Sequence, residues 1–433
     1  MDNKILTEGA VAKINGVPVL LISVAILVLG TNLQSTLLGV RAGIEGITDS
    51  SIGMMMSTYY VGFVLGSLLL PRLISSVGHI RTYAALASTA SALTLAYILI
   101  ITVPFWVLLR FFHGLCYAGM ILVIESWLNR CADKKNRGRL LATYGLVFWG
   151  CSALSQMLLP LASPEGFVLF CLVSILVSLA MVPLTLAPSK DPVSVFSKKT
   201  EFRQLQGISP IGVLGVFVSG LCMGSVYGMG PVFAHNIDLS TEQISLFMFA
   251  IMGGTMISQW PLGKLSDKVD RRLVILFTLL GAGVISMLIG LQNDLSVNVV
   301  LIMALMYGAL AFPLYSISVA HVNDLVSPEE SVGTAATLIL IQGIGSAIGP
   351  SMAGFVMGNI GAHGLFIFVG SVMLSASVLT VVIIPHRKSV SGKIKRGFTV
   401  IPRVSYVLLH THSKRKSKQK RPKVPKDRSH IGK

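Results

Sequence analysis

The sequence predicts an all-α integral membrane fold: twelve transmembrane helices in two six-helix bundles, followed by a disordered basic tail. Three observations carry this. Hydrophobic residues make up 53% of the chain and charged residues only 12%, too little charge to cover a soluble protein of this length, and the mean hydropathy is +0.75. Apolar runs of about 20 residues, long enough to cross roughly 30 Å of hydrocarbon, recur from end to end. Lys and Arg gather at alternate joints between those runs.

Taken in order, the first six spans are expected at 17–38, 52–74, 81–102, 104–128, 139–160 and 166–187. The second six are expected at 209–230, 243–264, 272–291, 297–322, 332–358 and 363–385. Before them lies a polar segment, 1–16, with no small-residue cleavage site after the apolar run that begins at Val17, so that run reads as an uncleaved first helix. The organisation is then an N-terminal cytoplasmic segment (1–16), a six-helix bundle (17–187) and a polar linker (188–208). A second bundle (209–385) and a tail (386–433) complete it.

With the N-terminus inside, 33 of the 35 Lys and Arg residues fall on the inner side. The exceptions are Arg41 and Arg110, the latter within the fourth span. Both termini are therefore expected in the cytoplasm of a multi-pass inner-membrane protein. The tail holds 16 basic residues against one acid, Asp427, so most of the net charge of +17 belongs to it. KRKSKQKRPKVPKDR is too polar and proline-rich to pack, and anionic lipid is its expected partner. Nucleic acid is disfavoured, since no aromatic residues interleave the lysines to stack bases.

Five cysteines, odd in number and without paired spacing, argue against a disulfide framework or a metal site and for small apolar packing residues. No phosphate-binding loop of the form G-x-x-x-x-G-K-(S/T) occurs, so ATP hydrolysis on this chain is not the expected energy source. No catalytic cluster and no cofactor is indicated.

Charge is concentrated in GKLSDKVDRR, Gly263 to Arg272, between the eighth and ninth spans. Gly263 permits close approach of helices. Asp267 can accept hydrogen bonds from a neighbouring helix N-terminus and from nearby Arg, forming a charged latch. The plainer alternative is a basic loop that only keeps this joint inside. The stretch resembles the signature loop of the major facilitator superfamily, at Gly263, Leu265, Ser266, Asp267, Lys268, Asp270, Arg271 and Arg272. The matching joint of the first half, PRLISSVGHIRTY, keeps Gly78 and Arg81 but puts Pro71 at Gly263, Ser75 at Asp267 and His79 at Arg271. This copy has lost its carboxylate. VGHIR, ESWLN and RGRLLATYG look like the YcaD-type branch of bacterial permeases.

The fourth span, PFWVLLRFFHGLCYAGMILVIESWLN, carries Arg110, His113, Gly114, Tyr117, Ile121 and Glu125 on one helical stripe. Such a polar stripe is expected to face the bundle interior or a water-filled cavity. Arg110 with Gly114 is similar to the superfamily's fourth-helix motif. Arg110 and Glu125 lie roughly 22 Å apart along the axis and cannot pair. Snorkelling is the alternative for Arg110; an ion pair with the loop 130–139 is the alternative to a proton-carrying role for Glu125. The eleventh span, LILIQGIGSAIGPSMAGFVMG, places Gly345, Gly349 and Pro350 where the superfamily has a gate helix; simple close packing is the alternative. Asn32, Gln34, Tyr59, Gln156, Tyr227, Tyr315, His321 and Gln342 are the remaining polar side chains on spans, each an interhelical bond or a ligand.

The resemblance implies secondary active transport of a small molecule by alternating access. The proton is the expected coupling ion, a monomer the expected state, and export is marginally favoured over uptake. A membrane-embedded sensor or scaffold with the basic tail as effector is the alternative.

Overall fold

The computed structural model describes residues 2–131, 137–186, 207–292, 295–327 and 330–386. The loop 132–136, most of the linker and the basic tail, with the lipid contact expected of it, lie outside the described residues. Among the described residues fourteen α-helices make twelve spans. In the first half these are α1 (Asp2–Ile44), α2 (Asp49–Val77), α3 (His79–Leu99), α4 (Val103–Cys131), α5 (Arg137–Gln156) and the pair α6 (Val168–Leu179) and α7 (Met181–Leu186). In the second they are α8 (Pro210–Asn236), α9 (Thr241–Lys268) and α10 (Arg271–Leu291). The pair α11 (Val297–Ala311) and α12 (Pro313–Leu325), then α13 (Ser331–Ile360) and α14 (Gly364–Ile383), complete it.

Eleven of the spans are long and apolar enough to cross a membrane. The twelfth, α9, has the length but dilutes its apolar run with Gln243, Gln259 and Pro261. Two expected spans are broken. The sixth changes helix at Ala180, and the tenth at Phe312, where Pro313 opens α12. Pro313 cannot donate to the preceding turn, so the helix restarts there. The first helix also runs back to Asp2, through residues expected to be a separate segment.

Within each half the same crossing recurs. Gly62 of α2 lies against the Phe111 carbonyl of α4, and Gly114 of α4 against the Tyr59 carbonyl of α2. In the second half Gly254 of α9 lies against the Leu305 carbonyl of α11, and Gly308 against the Ile251 carbonyl. Each pair is a helix crossing so close that a Cβ would run into main chain. The third and sixth spans repeat as well: Ser91 of α3 meets Ser174 of α6 at 2.6 Å, and Gly283 of α10 lies against Gly370 and Leu374 of α14.

The two halves meet along α2 with α13, α5 with α9, and α1 with α8. Gly53 of α2 lies on the Pro350 carbonyl and Gly354 of α13 on the Asp49 carbonyl. Ser351 donates to Ser57 Oγ through both its backbone N–H, at 2.9 Å, and its hydroxyl, at 2.7 Å. On the other seam Ser245 of α9 donates to the Gln156 carbonyl at 2.6 Å. Asn236 of α8 adds a bond to Asp49 at 3.0 Å. These contacts run from the Asp49 end of the molecule toward its middle.

Candidate functional site

The loop Gly263–Arg272 lies at the opposite end from Asp49. Arg271 is 1% exposed and is its centre. It donates through Nε to Asp324 of α12 at 2.8 Å, through Nη2 to Asp267 at 2.9 Å and through Nη1 to Ser266 at 3.0 Å. Asp267 therefore takes the expected bond from Arg271. Asp270 accepts from the Arg272 backbone N–H at 3.0 Å and is the N-cap of α10. Asp270 stands immediately before the first turn whose N–H groups it satisfies, as a cap acceptor must. Arg272 reaches back to Asp270 at 2.6 Å and to the Ile384 carbonyl at 3.3 Å.

Gly263 is buried, whereas Leu265 and Lys268 are not. In the first-half copy Gly78 adopts φ +100° where α2 gives way to α3, a conformation glycine takes without a Cβ clash. Arg81 beside it is exposed.

The α4 stripe is buried throughout: Arg110 is 3% exposed and Tyr117 9%, while Glu125 is wholly enclosed. Glu125 Oε1 accepts from the Tyr144 hydroxyl of α5 at 3.1 Å. Arg110 does not reach outward along its helix as a snorkelling side chain would. Its guanidinium carbon lies 4.6 Å from the Tyr59 ring centroid, and Nη2 meets the Met56 sulfur at 2.9 Å. His113 Nδ1 pairs with Gln34 Nε2 at 3.4 Å, and the same Gln34 nitrogen donates to Thr94 of α3 at 3.3 Å. Four helices, α1 to α4, thus build one buried polar cluster. Met56 carries it to the seam between the halves, where Gly228 of α8 packs on the Met56 side chain.

Other candidates form a second group nearer α5. Asn32 donates to Ser152 at 3.3 Å, and Gln156 accepts from Thr36 at 2.7 Å while its amide faces the Met252 sulfur. Tyr227 stacks on Phe312, with ring centroids 5.4 Å apart. Trp149 of α5 covers Phe312 from the first half at 6.1 Å. Phe312 sits at the break between α11 and α12, so the interrupted span puts an aromatic face between the bundles. Tyr315 and His321 are buried on α12, away from this stack in sequence register. Gln342 meets Met223 only at 3.9 Å.

On α13 the glycines serve two partners. Gly345 and Gly349 pack on the Phe217 and Leu221 carbonyls of α8, in their own half, while Pro350 and Gly354 face α2 across the seam. Sequence reasoning missed Asp324, Tyr144, Thr94, Tyr97, Trp149 and Phe312. Only Pro313, inside an apolar run, marks the break at Phe312, which is itself buried.

Comparison with known proteins agrees with this architecture. A family model for the Major Facilitator Superfamily matches residues 20–232 and again 212–425. An uncharacterised MFS-type transporter, YcaD, of Escherichia fergusonii is 29% identical over 378 residues, covering 85% of this chain and 94% of that protein. An uncharacterised MFS-type transporter of Enterobacter sp. (strain 638) is 30% identical over 362 residues, covering 82% and 93%. Among solved structures, the nucleoside transporter NupG superposes with a TM-score of 0.70 at 13% identity, over 86% of this chain and 100% of that one. A bacterial homologue of the human lysosomal transporter Spinster, in an inward-facing and occupied conformation, gives 0.69 at 15% identity, over 87% and 97%. With both halves matched, the chain belongs to the major facilitator superfamily of membrane transporters.

Proposed function

We propose that the chain moves a small solute across the inner membrane by alternating access, with residues 17–187 and 209–385 as the two units that rock. One observation carries this. The bundles interlock through small residues at the Asp49 end, whereas the ion pairs found among the described residues at the Arg271 end join helices of the second half. Contacts such as Gly53 on Pro350 and Ser57 with Ser351 can separate without uncovering a charge. With both termini in the cytoplasm, the interlocked end faces outward and the Arg271 latch lies at the cytoplasmic side.

In this reading Glu125 carries the coupling proton, supported by its full enclosure on α4 and its bond from Tyr144; residues 132–136 of the loop 130–139, its alternative partner, lie outside the described residues. The transporter acts as a monomer, and its direction is export.

Spin labels test the rocking without any knowledge of the solute. One pair, at Thr48 and Asn359, reports the interlocked end; another, at Val77 and Leu325, reports the latch end. Across a pH series in nanodiscs the two distances are expected to change in opposite senses. Distances that rise together, or a single unchanging distribution at both ends, would rule alternating access out.

A further inference from the structure

The buried cluster around Arg110 is a positive charge without a counter-charge. Among the described residues only two carboxylates are buried, Glu125 and Asp324. Asp324 is taken by Arg271, and Glu125 lies roughly 22 Å further along α4. Arg110 instead has a thioether, a weak acceptor, and an aromatic face. Ionised side chains that deep in a membrane are costly unless they are paired or at work.

Three donors in the cluster also lack acceptors: Arg110 Nε, His113 Nε2 and the Tyr97 hydroxyl. Their burial is close to complete, at 3%, 1% and 0% exposure. The Gln34 amide donating to His113 Nδ1 leaves the ring proton on Nε2, so His113 too presents a donor. Tyr97 packs on Trp106, one turn before Arg110 on α4, with ring centroids 5.7 Å apart and the indole N–H donating to the Tyr97 carbonyl at 3.1 Å. A buried donor left unsatisfied costs stability, and three in one cluster ask for a shared acceptor.

We propose, resting on the transporter reading above, that Arg110, His113 and Tyr97 form the substrate's anion subsite, and that the substrate is a monocarboxylate with an apolar body. A planar guanidinium matches the two oxygens of a carboxylate. A single Arg neutralises one negative charge and leaves a phosphate dianion half-compensated. The apolar body follows from the wall beside the charge: Tyr59, Tyr117 and Phe63 form a run of rings with centroids 6.3 Å and 6.1 Å apart. Entry is through the seam at Met56, whose sulfur gives way to the carboxylate.

The test uses the full chain in detergent, with thermal unfolding followed against benzoate, lactate, benzamide and inorganic phosphate at constant ionic strength. Benzoate is expected to raise the midpoint saturably; benzamide and phosphate are expected not to. Arg110→Gln should weaken benzoate at least tenfold, Arg110→Lys should keep part of the binding, and Tyr97→Phe should weaken it several-fold while the unliganded midpoint stays put. Equal stabilisation by benzamide, undiminished binding to Arg110→Gln, or no response to either carboxylate overturns the proposal. Each of these leaves alternating access standing if the spin-label distances still move in opposite senses. Carboxylate binding with immobile distances would instead keep the subsite and remove the transport cycle.

Discussion

Arg271 and Asp324 are bound to each other across two helices, Nε to Oδ2 at 2.8 Å, with both side chains 1% exposed. The pair ties the start of α10 to the end of α12 and is the most deeply buried ion pair described in the second half. Taking Gly114 and Gly308 as equivalent puts Arg130 where Asp324 stands, while His79 stands where Arg271 does. The first half therefore sets two bases where the second has a base and an acid. At these two positions the base-and-acid pattern of the latch belongs to the second bundle.

Replacing Asp324 by Asn leaves a buried guanidinium short of its main partner, a loss of about 3–5 kcal/mol for a buried pair. Asp267 is 32% exposed, and water takes its place more readily, so Asp267→Asn should cost about 1 kcal/mol or less. The expected order of thermal midpoints in detergent is parent, then Asp267→Asn, then Asp324→Asn well below. The reverse order would mean that Asp267, not Asp324, anchors Arg271.

The repeated crossing makes a paired prediction. Gly254→Ala would drive a methyl into the Leu305 carbonyl, whereas at the neighbouring Gly253 a methyl meets only the edge of Phe249. Gly254→Ala should destabilise by about 1–3 kcal/mol through overpacking, and Gly62→Ala by a similar amount. Gly253→Ala should be near neutral. Parallel melting curves check all three, and a tolerated Gly254→Ala would mean that α9 and α11 can part at no cost.

Ser57 and Ser351 face each other across the halves with their hydroxyls 2.7 Å apart. Cysteines at both positions, in a chain whose five native cysteines are replaced, should form a disulfide, because the two side chains already approach the separation a disulfide needs. Mass spectrometry of the oxidised membrane protein should find the bridge in most molecules. Locked shut at that end, the protein should lose nearly all solute flux and regain it on reduction. Full flux through the bridged form would remove this seam from the transport path.

Helix placement was legible because burial in lipid imposes a length and a composition on each span, and both survive in the raw sequence. The GKLSDKVDRR loop was legible because charge at a membrane joint stands out. Asp324 was not, since an acid at the end of a span looks like the beginning of a loop; only its distance to Arg271 shows it to be half of the latch. Thr94 and Tyr97 were lost for a related reason. A lone polar residue on a span is uninformative until neighbouring helices bring a second and third beside it. The break at Phe312 hid behind an apolar run that continues straight through Pro313.

Glu125 and Tyr144 offer the sharpest functional test, since each can be altered by little more than a single atom. Glu125→Gln keeps the shape and the bond to Tyr144 but cannot take up or release a proton. Tyr144→Phe removes the donor at 3.1 Å and leaves the carboxyl titratable. If Glu125 carries the coupling proton, the Gln variant should lose proton movement by at least tenfold while solute-for-solute exchange persists, because exchange requires no net protonation. The Phe variant should keep its coupling, so the pair separates the titrating group from the neighbour that holds it in place. A pH-sensitive dye trapped in proteoliposomes reads both. Coupling that survives in Glu125→Gln would send the proton by another route. An equal loss in Tyr144→Phe would make the hydrogen bond, rather than the carboxyl's proton, the element on which transport depends.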